Sequence, residues 1–236
     1  MTRAAGVAAP AIDELAVAAE PDRWRAAGFA VDEDGVCRTG AVRVRLVGEG
    51  AGRGIVGLSI RDLAGPGDEL PDLDGLPATV STAPPPSPGR HRNGVERLDH
   101  VVALTPDLRR SVATLEGAGL DLRRVREGAT PGGASRQAFF RIGEAILEVI
   151  EQPAPDGSPV ESSKPARLWG MAFVVVDLDR GAAAMGDLLG AARNALQPGR
   201  RIATVRRPAR LGAAVALITA APMQGPAPRG DSKPME

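Results

Sequence analysis

LDHVVALTPDLRRSVATLEGAGLDL, residues 98–122, is the stretch that decides the fold. It passes from an apolar strand through a Thr-Pro-Asp turn into a helix rich in Arg and Ala, and it closes on Gly117 and Gly119. The same order of residue types returns at residues 168–192, LWGMAFVVVDLDRGAAAMGDLLGAA. A clipped version, ELAVAAEPDRWRAAGFAV, occupies residues 14–31. A unit this small cannot bury its own apolar face, so repetition predicts copies that pack on one another. Paired copies leave a cleft between them, and clefts are where small molecules bind.

Working outward from Leu98, the spacing predicts a strand to Leu104, then a helix with Thr105 as N-cap and Pro106 at its first position. Three strands follow: Leu122 to Val125, Arg136 to Ile142 (RQAFFRI), and Ala145 to Glu151 (AILEVIE) after a Gly143-Glu144 turn. The order is βαβββ. In the second copy a strand is predicted over 171–176, a helix from Asp179 to about Ala192, and strands over 201–206 and 215–219. Its second strand has no clear counterpart. The N-terminal part predicts strands at 15–18, 29–31, 36–38 and 42–47 around a very short helix at 23–27. A further strand at 54–60 opens a fourth unit that never acquires a helix.

The chain therefore divides into a disordered N-terminus (1–10), a degenerate module (11–80), a Pro-rich linker (81–94, STAPPPSPGRHRNG), a paired βαβββ region (95–222) and a disordered tail (223–236). His91, in the linker, reads as solvated. The fold class is α+β.

Composition narrows the partners. Formal net charge is zero, with 29 basic and 29 acidic residues, so no overall field favours nucleic acid or an anionic membrane. Aromatic residues are scarce, with no Tyr, two Trp and four Phe, which disfavours base stacking. No apolar run approaches the ~20 residues of a membrane span, and the N-terminus lacks a signal-peptide core. Cys37 is the single cysteine, so it forms no intramolecular disulfide and reads as inert. A cytoplasmic protein is expected.

Side chains alternate faces along a strand, which places His100 with Val102 and leaves Val101 and Ala103 to pack under the helix. The same alternation puts Glu148 with Ile146 and Ile150, so His100 and Glu148 share the cleft side. A His and a Glu on neighbouring strands can bind a divalent metal or act as a general acid/base pair. An unpaired carboxylate inside an apolar strand is costly to bury, so Glu148 faces the cleft, a metal or an Arg. Gln137, Phe139 and Arg141 share a face beside it, as a substrate surface or as the source of a salt bridge to Glu148. Gln197 to Arg201 (QPGRR) reads as an anion-holding turn with Arg200 and Arg201, or as a solvated basic turn. Gly170 leaves room for a ligand, Trp169 and Phe173 read as core, and Asp99 and Asp177 as turn residues or helix caps.

Repeated βαβββ units, one opened by LDHVV and closed by AFFRIGEAILEVIE, resemble the vicinal oxygen chelate superfamily. That group includes glyoxalase I, extradiol dioxygenases and bleomycin-binding resistance proteins. The resemblance covers residues 95–222 well and 11–80 faintly. It implies two modules paired edge to edge into a curved, mixed, eight-stranded sheet enclosing a cleft, with metal ligands from the first and last strands of each module. Gly170 stands where His100 does in the first module, and Glu148 falls on Ala216 or Leu217. Two of four ligands survive, fewer than the usual three or so of a catalytic site. The resemblance thus implies a small-molecule protein with an incomplete metal set of His100 and Glu148, for Fe, Mn, Ni or Zn if any metal. Either it is an enzyme of lyase, isomerase or dioxygenase type, or it sequesters a ligand without a metal. Homodimers are a further expectation.

Overall fold

The computed structural model describes residues 8–63, 70–130, 133–152, 161 and 163–221. The first full repeat runs β6 (Val95–Thr105), α2 (Leu108–Gly117), β7 (Asp121–Thr130), β8 (Gly133–Ile142) and β9 (Ala145–Glu151). The second runs β10 (Arg167–Val175), α3 (Leu178–Met185), β11 (Arg193–Asn194), β12 (Arg201–Thr204) and β13 (Ala214–Thr219). Together they build one mixed sheet in the order β11-β12-β13-β10-β6-β9-β8-β7. Within each repeat the first and last strands are parallel, β6 with β9 and β10 with β13. The repeats meet edge to edge through the antiparallel pair β6–β10. This is an α+β fold of paired βαβββ modules, as the resemblance implies.

The missing second strand of the second repeat is β11, too short to show a period of two. Both helices begin at an aspartate: Asp107 accepts from the Arg110 backbone N–H, and Asp177 from that of Arg180. Thr105 is therefore not the cap. Its hydroxyl accepts from the Asp107 N–H and the Ser111 hydroxyl, inside a cluster that includes Asp74. The second helix ends at Met185, earlier than predicted, because Gly186 takes φ +53° and breaks the helical backbone.

The N-terminal part forms a second sheet, β2-β3-β1-β4-β5, from β1 (Ala11–Val17), β2 (Val36–Thr39), β3 (Val42–Leu46), β4 (Ile55–Arg61) and β5 (Ala78–Ser81). The helix α1 (Pro21–Ala26) follows β1. β1 runs parallel to β3 and antiparallel to β4, which repeats the central pattern of the larger sheet with strands and a helix removed. The predicted strand at 29–31 does not form. Phe29 is instead buried against Trp24 and Phe173, with ring centroids 4.6 and 5.5 Å away. Trp24 crosses to the larger sheet, its Nε1–H donating to the Leu211 carbonyl at 3.2 Å.

The segment preceding β6 runs half-exposed or exposed from 81 to 90, and only its C-terminal end, at His91, Asn93 and Gly94, is buried. His91 is 3% exposed: its Nδ1 accepts from the Ala30 N–H at 3.0 Å, and its Nε2 lies 2.9 Å from the Arg38 carbonyl. These bonds set the neutral tautomer with the proton on Nε2, and burial lowers the affinity of the ring for a second proton. Asn93, fully buried, donates to the Ala27 carbonyl and accepts from the Val95 N–H. The predicted tail at 223–236, and residues 1–7 of the predicted N-terminal segment, lie outside the described residues. Among the described residues no helix is long and apolar enough to cross a membrane.

Candidate active-site cleft

The two helices cover one face of the large sheet, where Val101, Ala103, Phe140, Leu147 and Phe173 join the core. The other face is open, and the period-two pattern sends His100, Glu148 and Phe139 to it. The register sets their order: His100 lies opposite Ile146, and Glu148 opposite Val102 on one side and Phe139 on the other. Arg124 pairs with Phe139 one strand further out. A pocket of about 420 Å³ opens here, lined by Asp99, His100, Arg123, Arg124, Phe139, Arg141, Ile146, Glu148 and Gln197.

A bulge in β6 brings Asp99 into this group. Ala172 pairs with His100 but Phe173 pairs with Leu98, so Asp99 is an extra residue with no partner of its own. An inserted residue lets two consecutive side chains share a face. Asp99 Oδ2 lies 2.8 Å from His100 Nδ1, and Arg200 Nη2 donates to Asp99 Oδ1 at 2.6 Å. Burial alone would raise the Asp99 pKa, but the hydrogen bonds from His100 and Arg200 outweigh it and pull the value down to about 2. Asp99 is thus an anion that fixes the imidazole with its proton on Nδ1 and its Nε2 toward Glu148. Neither a turn nor a cap describes it.

Glu148 differs. Its side chain is 15% exposed, His100 Nε2 is 3.8 Å away, and no hydrogen bond reaches the carboxylate among the described residues. Burial raises its pKa, opposed by the charges of His100 and Arg124. The Arg partner foreseen for it is engaged elsewhere: Arg141 donates to the Glu144 carbonyl at 3.3 Å, and the neighbouring Arg136 forms a two-pronged pair with Glu151, at 2.7 and 2.8 Å. The Arg124 guanidinium sits 4.5 Å from the Phe139 ring centre, a cation–π contact that builds one cleft wall.

The remaining predicted residues divide. Phe139 and Arg141 line the pocket; Gln137 is buried and lies outside its lining. Arg200 is a strut, donating also to the Thr219 carbonyl at 2.7 Å and to Gln197 Oε1 at 3.3 Å. Arg201 is exposed and outside the lining. Gly170 opens no space: a Cβ there would meet the Ala214 carbonyl oxygen at 2.7 Å, so glycine permits close strand approach. Trp169 is 47% exposed and not core, because β10 carries its own bulge at this residue. Asp99, Arg124 and the exposure of Trp169 were missed from sequence, since a period-two reading cannot register a bulge and Arg124 carries no motif.

The donors do not fit a resident metal. His100 and Glu148 are two, Asp99 is engaged by Arg200 and His100, and Gly170, Ala216 and Leu217 offer none. Among the described residues no three His, Cys, Asp or Glu side chains converge to hold an ion.

Comparison with solved structures gives the same fold. A triple mutant of 4-hydroxymandelate synthase from Streptomyces coelicolor matches over 92% of this chain and 94% of its own, with TM-score 0.62 and 14% identity. A xylose isomerase-like TIM barrel/4-hydroxyphenylpyruvate dioxygenase fusion protein matches over 95% of this chain, with TM-score 0.58 and 12% identity. This chain spans half the length of that fusion. Methylmalonyl-CoA epimerase from Mycobacterium tuberculosis matches over 55% of this chain and 91% of its own, with 22% identity and TM-score 0.43. No family model matches the sequence, and no curated protein matches it.

Proposed function

We propose that the cleft binds a small organic anion and that Glu148 moves a proton on it, with His100 as the acid/base partner held by Asp99. The reaction class is a lyase- or isomerase-type proton transfer at carbon. The observation that carries this is the Glu148 carboxylate, mostly buried, raised in pKa and without a hydrogen bond among the described residues. A carboxylate in that condition is a stronger base than one in water, and its proton affinity moves toward the working pH. Glu148 takes the proton from a carbon beside a carbonyl, and the charge left on the carbonyl oxygen faces the cationic wall of Arg124. Glu148 hands the proton to His100 Nε2, and the imidazolium, held by Asp99, returns it to that carbon or gives it to a group that leaves from the neighbouring carbon.

Sequestration without chemistry is the second reading, favoured by the Arg124–Phe139 wall, which binds an aromatic or anionic ligand whether or not Glu148 acts. The test is a thermal-shift screen of carboxylates and phosphate esters, followed by NMR of each hit in D2O. Solvent deuterium should enter the acidic carbon with wild-type protein, and Glu148→Gln should lower that rate by about 10²–10⁴ while the hit still binds. Unchanged exchange in Glu148→Gln would defeat the proposal. Hits that bind wild type without exchange would leave only sequestration.

A further inference from the structure

Two of the three bulges of the central strand pair are internal counterparts: Trp169 precedes Gly170 as Asp99 precedes His100, and the same sequence spacing separates the capping residues Asp107 and Asp177. In the first module the extra residue serves the His100–Glu148 cleft. In the second it presents an indole to a groove of about 850 Å³ between the second module and the N-terminal sheet. Arg53, Arg206, Arg207 and Arg210 line that groove against one carboxylate, Glu49. Arg210 donates to both Glu49 oxygens at 2.9 Å. The guanidinium groups of Arg53, Arg206 and Arg207 have no partner among the described residues.

In a chain of zero net charge, three such cations lining one groove with an exposed tryptophan are a local excess that gains from an anion. A groove lined by an indole and by guanidinium groups suits a ligand that carries both a flat ring and negative charge. Planar guanidinium forks match phosphate oxygens in pairs. The groove volume lies within the range of small-ligand sites.

We propose that this groove is a second ligand site, distinct from the His100–Glu148 cleft, for the nucleoside-diphosphate portion of a ligand: the base stacks on Trp169, and the phosphates meet Arg206, Arg207 and Arg53. Free nucleotides and larger molecules bearing a nucleotide end share this chemistry.

ADP, adenosine and inorganic phosphate serve as probes with the full chain. Trp24 is fully buried and Trp169 is exposed, so ADP should quench the exposed component of tryptophan fluorescence, and calorimetry should give one site. Trp169→Ala and the double variant Arg206→Ala/Arg207→Ala should each weaken ADP by about 10-fold or more, while Trp169→Phe keeps most of the affinity. Adenosine and phosphate alone should bind more weakly than ADP. Affinity should fall with added salt in wild type and less steeply in the double arginine variant. His100→Ala should leave ADP binding unchanged. The proposal is overturned by no binding at millimolar ADP, by phosphate binding as tightly as ADP, by a Trp169→Ala variant with wild-type affinity, or by loss of binding in His100→Ala. A single-stranded oligonucleotide that binds more tightly than ADP would overturn it too. Because Trp169, Arg206 and Arg207 are exposed, circular dichroism of the variants should match wild type.

Discussion

Asp99 and Glu148 are carboxylates of one cleft that titrate in opposite directions. Asp99 has guanidinium and imidazole partners and stays ionised to about pH 2; Glu148 has burial and no hydrogen bond among the described residues. At acid pH the unfolded chain takes up the Asp99 proton near pH 4 while the folded chain resists until about pH 2. The Asp99 contribution, about 2 kcal/mol, is therefore complete above pH 4 and lost as pH falls toward 2. Urea unfolding of Asp99→Asn between pH 2 and 5 should show a flatter dependence than wild type. Arg200→Ala strands a buried anion and should lose about 3–5 kcal/mol at pH 7. Glu148 has the reverse sign: the folded state holds its proton more tightly, so ionisation opposes folding above the usual carboxylate range. Glu148→Gln should accordingly melt at a higher temperature than wild type at pH 7 while losing proton transfer. A lower melting temperature would mean that Glu148 is held by contacts and is not an idle base.

At the scale of elements, the segment before β6 shows how composition misleads. In a Pro-rich linker His91 reads as solvated, yet His91 and Asn93 are buried and hydrogen-bonded to Ala30, to Arg38 in β2 and to Ala27 at the end of α1. The ring of His91 is neutral in the folded protein, and its pKa is depressed by burial. Its contribution to stability is present above the unfolded value near 6.5 and declines as pH falls below it. His91→Ala should cost about 1–3 kcal/mol at pH 7, from the stranded Ala30 N–H and Arg38 carbonyl, and less at pH 5. Chemical denaturation at both pH values reads the difference. The bulges in β6 and β10 belong to this scale as well, since each re-aims two consecutive side chains without changing strand order.

For the whole molecule, the aromatic cluster of Trp24, Phe29 and Phe173 ties the two sheets together. Trp24 comes from the six-residue helix of the smallest repeat, and its indole reaches a carbonyl that precedes β13. Trp24→Ala should cost about 3–5 kcal/mol and, because the core is continuous, lower one shared transition rather than split it into two. Differential scanning calorimetry would reveal two separated peaks if the sheets unfold independently.

Repetition and period-two alternation carried the βαβββ order and the shared face of His100 and Glu148, and the edge-to-edge pairing came from the family resemblance alone. Those features depend on local geometry, which residue order encodes directly. The bulges, the Arg200–Asp99–His100 chain, the burial of His91 and the exposure of Trp169 arise from pairings between residues far apart in sequence. One inserted residue in a strand reverses which side chains face the cleft, and only the partner strand shows where the insertion falls.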